Sequence, residues 1–288
     1  HVGKRLAGTK LGARQVGLRS EGLLGEGPAR PEKADGRGTI DGIDGHGPQA
    51  TEHMSTARTG CHGGGITDGG SVRAMALIDM IAAERVAVAD MLESLDDTGW
   101  ATPSLCGEWT VREVAAHLIQ GFEITMLGFA KAMIRFRGNF DRANADFAKR
   151  IAAAQSNEYI IATLRENRYH PFTPPTGAGL RAPLTDVVVH GQDMRRPLGL
   201  ARDFESATVE EVLNFLTTGK SRGFVKKGLL DGLLLRALDG SWESEATGGA
   251  LVSGTPEALI MSLVGRTVAL GELSGPGVGE LRQRLVGA

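Results

Sequence analysis

Cysteine is nearly missing from this chain: its 288 residues carry two, Cys61 and Cys106. They match neither a disulfide framework nor a Cys-x-x-Cys metal knuckle, and they point to a reducing, cytoplasmic setting. Also missing is any run of about 18 apolar residues, which excludes a membrane-crossing helix. The basic N-terminus has no apolar stretch behind it, so no secretory signal is expected. Charge of one sign is lacking too. The 32 Lys/Arg and 34 Asp/Glu nearly cancel to a net −2, so nothing pulls the chain toward nucleic acid. The expected partners are small molecules, with neither nucleic acid nor membrane among them. Neither a Gly-x4-Gly-Lys-Ser/Thr loop nor a strand-anchored Gly-x-Gly-x-x-Gly occurs, which excludes the common nucleotide cradles. No internal repeat is visible.

Aromatics are scarce and unevenly placed: the first of 14 is Trp100. Residues 1–74 hold 18 of the 41 glycines and show no lasting apolar period. Such a segment cannot bury enough surface to offset its ordering entropy, and it is expected to be a disordered leader. It opens on His1, and Met54 and Met75 are both candidate starts, which leaves open whether it belongs to the native protein. Its four histidines (His1, His46, His53 and His62) are the ordinary solvated kind.

From residue 75 the pattern is helical. Leu77, Ile81, Val88, Leu92 and Leu95 form one stripe of a first helix, Met75–Leu95. Thr110-Val111-Arg112-Glu113 has capping-box form and opens a second, long helix that ends near Gly138. A third is expected over Arg142–Arg168. After a Pro/Gly-rich loop, Pro183 suits the first turn of a fourth helix, closed by Pro197 and Gly199. Four helices joined in this way predict a bundle over 75–200, and metal sites in bundles are built from side chains on facing helices. Past Leu200, a helix through Val212 and Leu216 precedes three strand-like pieces, Gly228–Leu238, Ser241–Ala246 and Ala250–Val252. Asp239-Gly240 is a hairpin-type turn between the first two. Helices from Pro256 and over Val278–Leu285 complete a small α+β domain, 201–288.

The residues with chemical potential sit in the bundle. Asp186 and His190 lie four apart, one turn from each other on one helix face, and can grip one metal ion. His117, near the apolar face of the second helix, would supply a third ligand. Three protein ligands and an open position describe a catalytic rather than a structural zinc site. The plainer alternatives are an i,i+4 hydrogen-bonded pair and a core histidine. Asp193, three residues after His190, could orient that imidazole or pair with Arg195 or Arg196. Those two arginines otherwise suit the end of the helix dipole. Cys106 precedes a helix N-terminus, where a thiol can become reactive, but no histidine partner for it is visible. Trp100 and Trp109 are expected to be bundle packing.

Two longer motifs carry a resemblance. Pro103-Ser104-Leu105-Cys106-Gly107-Glu108-Trp109-Thr110-Val111-Arg112-Glu113-Val114, followed by His117-Leu118, is similar to the mycothiol-dependent maleylpyruvate isomerase family. So is Val189-His190-Gly191-Gln192-Asp193-Met194-Arg195-Arg196-Pro197-Leu198-Gly199, and the tail from Leu233 to Leu285 resembles that family's C-terminal part. The resemblance covers about residues 75–288. It implies an α+β protein: a DinB-like four-helix bundle followed by a small α+β domain. It further implies a metal held by His117, Asp186 and His190, zinc by preference, with Asp186 standing where the family has the longer Glu. It implies mycothiol as the thiol cofactor and a small carboxylate-type substrate. Arg266 and Asp193 are the candidate catalytic residues, Arg266 to hold the substrate's carboxylate. A metal-dependent hydrolase or amidase, with Asp193 or Glu113 as its base, and a non-enzymatic metal or thiol sensor remain the rival readings.

Overall fold

The computed structural model describes residues 68–288 apart from 174–176, 222, 247 and 288. The expectations for the leader up to residue 67, disorder and solvated histidines among them, lie outside the described residues. The described part is an α+β protein, mostly helical, with a helical bundle and one small sheet. Helix α1 spans Asp68–Glu93, seven residues earlier than its apolar stripe suggests. A short α2, Asp97–Ala101, comes next, and then α3, Val111–Glu123, whose capping box closes in both directions between Thr110 and Glu113.

The two long helices expected from Thr110 onward are each broken in two by a polar cap, α3 being the first half of the earlier one. Ile124 leaves helical geometry, and the Thr125 side chain accepts from the Gly128 amide to start α4, Met126–Arg135. Asn139 then caps α5, Phe140–Ala154, and Ser156 caps α6, Asn157–Glu166, by accepting from the Tyr159 amide. A Ser or Thr oxygen that satisfies a free amide competes with helix continuation, and here it wins at both places.

Helix α7 runs Arg181–Leu198. Gly199 ends it with φ of 68°, the left-handed region that glycine enters without strain. Helices α1, α3, α7 and the α5–α6 pair enclose the bundle core of Val88, Leu92, Val114, Ile119, Ile160, Leu164 and Met194. A second core cluster crosses residue 200. It joins Leu77 and Ile81 of α1 and Leu184 and Val188 of α7 to Val212, Phe215 and Leu216 of α8, Ser206–Leu216. Each such side chain stabilises by about 1.5–3 kcal/mol when fully buried, so α7 is clamped on both sides.

The sheet is smaller than expected and differently wired. Strand β1, Leu233–Ala237, pairs in parallel with β2, Ala250–Gly254, in the register Leu233 to Ala250. Residues 241–246 do turn back at Asp239-Gly240 and meet β1 in an antiparallel bridge at Arg236–Glu243, with the Ala237 amide donating to the Trp242 carbonyl and the Ser244 amide to the Leu235 carbonyl, but they form no full strand. The indole of Trp242 donates to Asn214 Oδ1 at 2.8 Å, so this excursion is also pinned to α8. Helix α9, Pro256–Leu263, then leads through a 3₁₀ segment, Thr267–Glu272, to α10, Val278–Val286. Thr255 caps α9 and Pro256 opens it, as the sequence predicts.

Candidate metal centre

His117 lies on α3, two turns past the capping box, and is 8% exposed. Asp186 and His190 project from α7, backed by the buried Val187, Val188 and Val189. The fold brings the three together. Asp186 Oδ2 is 3.5 Å from His117 Nε2, and Oδ1 is 3.5 Å from His190 Nε2. One ligand atom from each residue falls within 4.8 Å of the others. Ligands on a tetrahedral zinc with bonds near 2.0–2.1 Å stand about 3.3 Å apart, close to the 3.5 Å from each imidazole to its own oxygen of Asp186.

The donor chemistry fits as well. Both ring nitrogens of His117 are buried with no hydrogen-bond partner among the described residues, a costly state for an imidazole that an ion on Nε2 would relieve. The Asp186 side chain is 36% exposed, against 9% and 12% for the two histidines, so the centre opens to solvent at the carboxylate.

Behind His190 stands a second layer. Asp193, fully buried, accepts from or shares a proton with His190 Nδ1 at 2.9 Å. Its two oxygens also receive Arg266 Nε at 2.8 Å and Nη2 at 2.5 Å. Arg266 Nη1 donates to the Val264 carbonyl at 2.8 Å. A carboxylate on the far nitrogen fixes the tautomer and leaves Nε2 for a metal. Arg266 thus reaches the site through Asp193, and three of its five N–H groups are spent there and on Val264.

The charges shift one another. Burial pushes the Asp186 carboxyl up, but His117, then His190 and Arg85, outweigh it and hold it at about 2. Burial pushes His190 down, yet the Asp186 charge, Asp193 and Cys106 raise it to about 10. In the metal-free protein His190 therefore keeps its proton at neutral pH, and a divalent ion must displace it. Affinity should accordingly rise with pH up to the folded-state value of His190. The expected slope is about tenfold per pH unit for one displaced proton, with no contribution from Asp186, which stays ionised throughout. Isothermal titration in two buffers of different ionisation enthalpy checks this. A proton release near zero at neutral pH would contradict it.

Three neighbours were not foreseen. Cys106 has no partner visible in the sequence, but the fold sets it beside His190 and Asp193, within 4.8 Å of both. The Leu105 amide donates to the Asp193 carbonyl at 3.0 Å and holds that loop on α7. Trp109, expected only to pack, also lays its ring 5.5 Å from that of His117. Trp100 is plain bundle core. Arg85 of α1 is 5% exposed and donates through Nη1 to the carbonyls of Asn167, Arg168 and His170, so it anchors the loop that precedes α7. Of these, only Cys106 carried a sequence signal, its place before a capped helix. Arg195 is buried and donates to the Ala87 carbonyl, while Arg196 pairs with Glu257 and Glu272, so neither faces Asp193 as a partner.

Residues 81–168 match the family described as the mycothiol maleylpyruvate isomerase N-terminal domain. No curated protein matches the chain. Two solved structures are similar in part: a crystal structure of the mycothiol-dependent maleylpyruvate isomerase, with a TM-score of 0.49, and one of a mutant of it, with 0.46. Each is 14% identical and covers 73% of this chain and 96% of its own. The matched stretch runs from within α1 to just past the end of α6 and is similar to that family's N-terminal domain; it includes His117 but neither Asp186 nor His190.

Proposed function

We propose that this protein is a cytoplasmic, metal-dependent, mycothiol-using isomerase or thiol transferase resembling maleylpyruvate isomerase. The observation that carries the reading is the convergence of His117, Asp186 and His190, with one ligand atom of each within 4.8 Å of the others and with both His117 ring nitrogens lacking a hydrogen-bond partner among the described residues. These three residues would hold a divalent cation, zinc by resemblance. Bound there, the ion would supply Lewis acidity to deprotonate a coordinated thiol. The chain's own residues do the rest. Asp193 keeps the His190 proton on Nδ1, and Arg266 keeps Asp193 ionised. The two N–H groups that Arg266 has left, one on Nη1 and one on Nη2, suit a substrate carboxylate. Trp109 closes the side of His117.

The hydrolase reading needs a free general base, and both candidates are engaged. Glu113 Oε2 is taken by the Thr110 amide at 2.7 Å and hydroxyl at 3.1 Å, and Asp193 lies between His190 and Arg266. This geometry favours thiol chemistry over activated water. Thermal-shift assays test it. Zinc alone should raise the Tm, and mycothiol added to the zinc-loaded protein should raise it further. At a ligand concentration about 100 times Kd, the gain is about 2.7 kcal/mol. Stabilisation by zinc with no response to mycothiol would sink the thiol reading and leave a hydrolase or a sensor.

A further inference from the structure

Helix α4 is apolar on both faces, and only one of them is covered. Phe129, Met133 and Phe136 turn inward with Ala132 onto Ala143 and Phe147 of α5, in a small cluster separate from the main cores. On the other face Met126 is 84% exposed, Leu127 65% and Ile134 80%, and Phe140 at the start of α5 adds 44%. At about 100° per residue, Met126, Ala130, Ile134 and Leu127 fall within an arc of about 100°, Lys131 lies about 40° beyond Leu127, and Arg135 lies about 40° further round. An apolar arc of this kind on a soluble surface marks a contact site.

The charges around it choose the occupant. The hairpin 126–150 carries six Lys/Arg against two Asp, in a chain whose net charge is −2. Of the acids, Asp146 is engaged with Arg150. Lys131, Arg135, Arg137 and Arg142 are exposed and form no ion pair among the described residues. A second copy of this face would set like charges against each other. A nucleic acid would meet the cations but not the exposed Met, Leu, Ile and Phe. A surface that is negative outside and apolar just beneath satisfies both. We propose that α4 and the turn into α5 form a peripheral docking face for an anionic lipid surface, lying in the interface plane as amphipathic helices do. No described helix is long and apolar enough to cross a membrane, and this mode requires none. The face escaped the sequence reading because 111–138 reads there as one continuous helix with a single core stripe.

The test uses the full chain and co-sedimentation with vesicles of phosphatidylglycerol mixed with phosphatidylcholine, against phosphatidylcholine alone. Two double variants accompany it, Leu127→Glu with Ile134→Glu and Lys131→Glu with Arg135→Glu. All four residues are exposed, so an unchanged Tm serves as the folding control. The wild type should bind the anionic vesicles alone, and each double variant should weaken that binding at least about tenfold. Salt at about 0.5 M should have a similar effect on the wild type. Equal binding to both vesicle types, no binding to either, or variants that bind like the wild type would overturn the proposal. So would light scattering that shows a dimer dissociated by the Leu127→Glu/Ile134→Glu variant, which would assign the face to a second copy.

Discussion

Alanine in place of His190 is expected to leave the chain folded and nearly free of metal. His190 is the hinge of the centre: its Nε2 faces Asp186 and its Nδ1 faces Asp193. Without it, His117 and Asp186 alone remain at the ion, one on each helix. Four-ligand structural zinc sites are worth about 10–16 kcal/mol in all, so one ligand of comparable strength corresponds to about 2.5–4 kcal/mol, a loss of affinity of roughly 100- to 1,000-fold. The fold should tolerate the change. The truncation removes one ring beside Cys106 and Asp193, and Asp193 keeps its bidentate Arg266. Elemental analysis after dialysis against a mild chelator makes the measurement, with circular dichroism as the folding control. A variant that keeps full metal content would show that the three residues are an ordinary polar cluster. His117→Ala should behave alike, since His117 has no other hydrogen-bond partner to lose among the described residues.

How much of the fold and the centre is legible in the sequence differs residue by residue. Asp186 and His190 can be paired from spacing alone, because i and i+4 share a helix face whatever the tertiary fold. The capping box at Thr110 and the Pro256 helix start can be read for the same reason: both are decided within four residues. His117 is a candidate from the residues but a core histidine as readily, and the family resemblance tips the balance, since nothing in a sequence states that α3 packs its His117 turn against the Asp186 turn of α7. The Cys106–His190 approach is invisible for that reason, with 84 positions separating them. The breaks at Thr125 and Ser156 are in principle readable, because each is a good N-cap. Strong apolar periodicity on both sides masks them, and the capping energy of about 1 kcal/mol decides a contest that the pattern alone does not reveal. The parallel pairing of β1 and β2 is hidden for a different reason. Asp239-Gly240 does make its turn and residues 241–246 bridge back to β1 at Arg236–Glu243, but the bridge does not lengthen into a strand, and the full-length partner of β1 is the later segment 250–254.

Asp193 is where stability and metal binding meet, and a double substitution should separate them. The residue is fully buried, with Arg266 on one side and His190 on the other. Asp193→Leu removes the partner of a guanidinium whose side chain is 19% exposed. An uncompensated charge of that kind costs about 3 kcal/mol, a fall in Tm of roughly 10 °C for a domain of this size. The same change frees the His190 tautomer, and loss of such an outer carboxylate typically lowers metal affinity by about 10–100-fold. Combining it with Arg266→Met removes the stranded charge. The double variant should therefore recover most of the Tm while its metal affinity stays at the level of the single variant. That split assigns the stability loss to Arg266 and the affinity loss to His190. If affinity and Tm recovered together, Asp193 would be acting on the centre only through the integrity of the fold. If neither recovered, Arg266 would have a stabilising partner besides Asp193 and Val264. The measurement needs only melting curves and zinc titrations on three proteins, and it asks directly whether the buried carboxylate serves the ion or the scaffold.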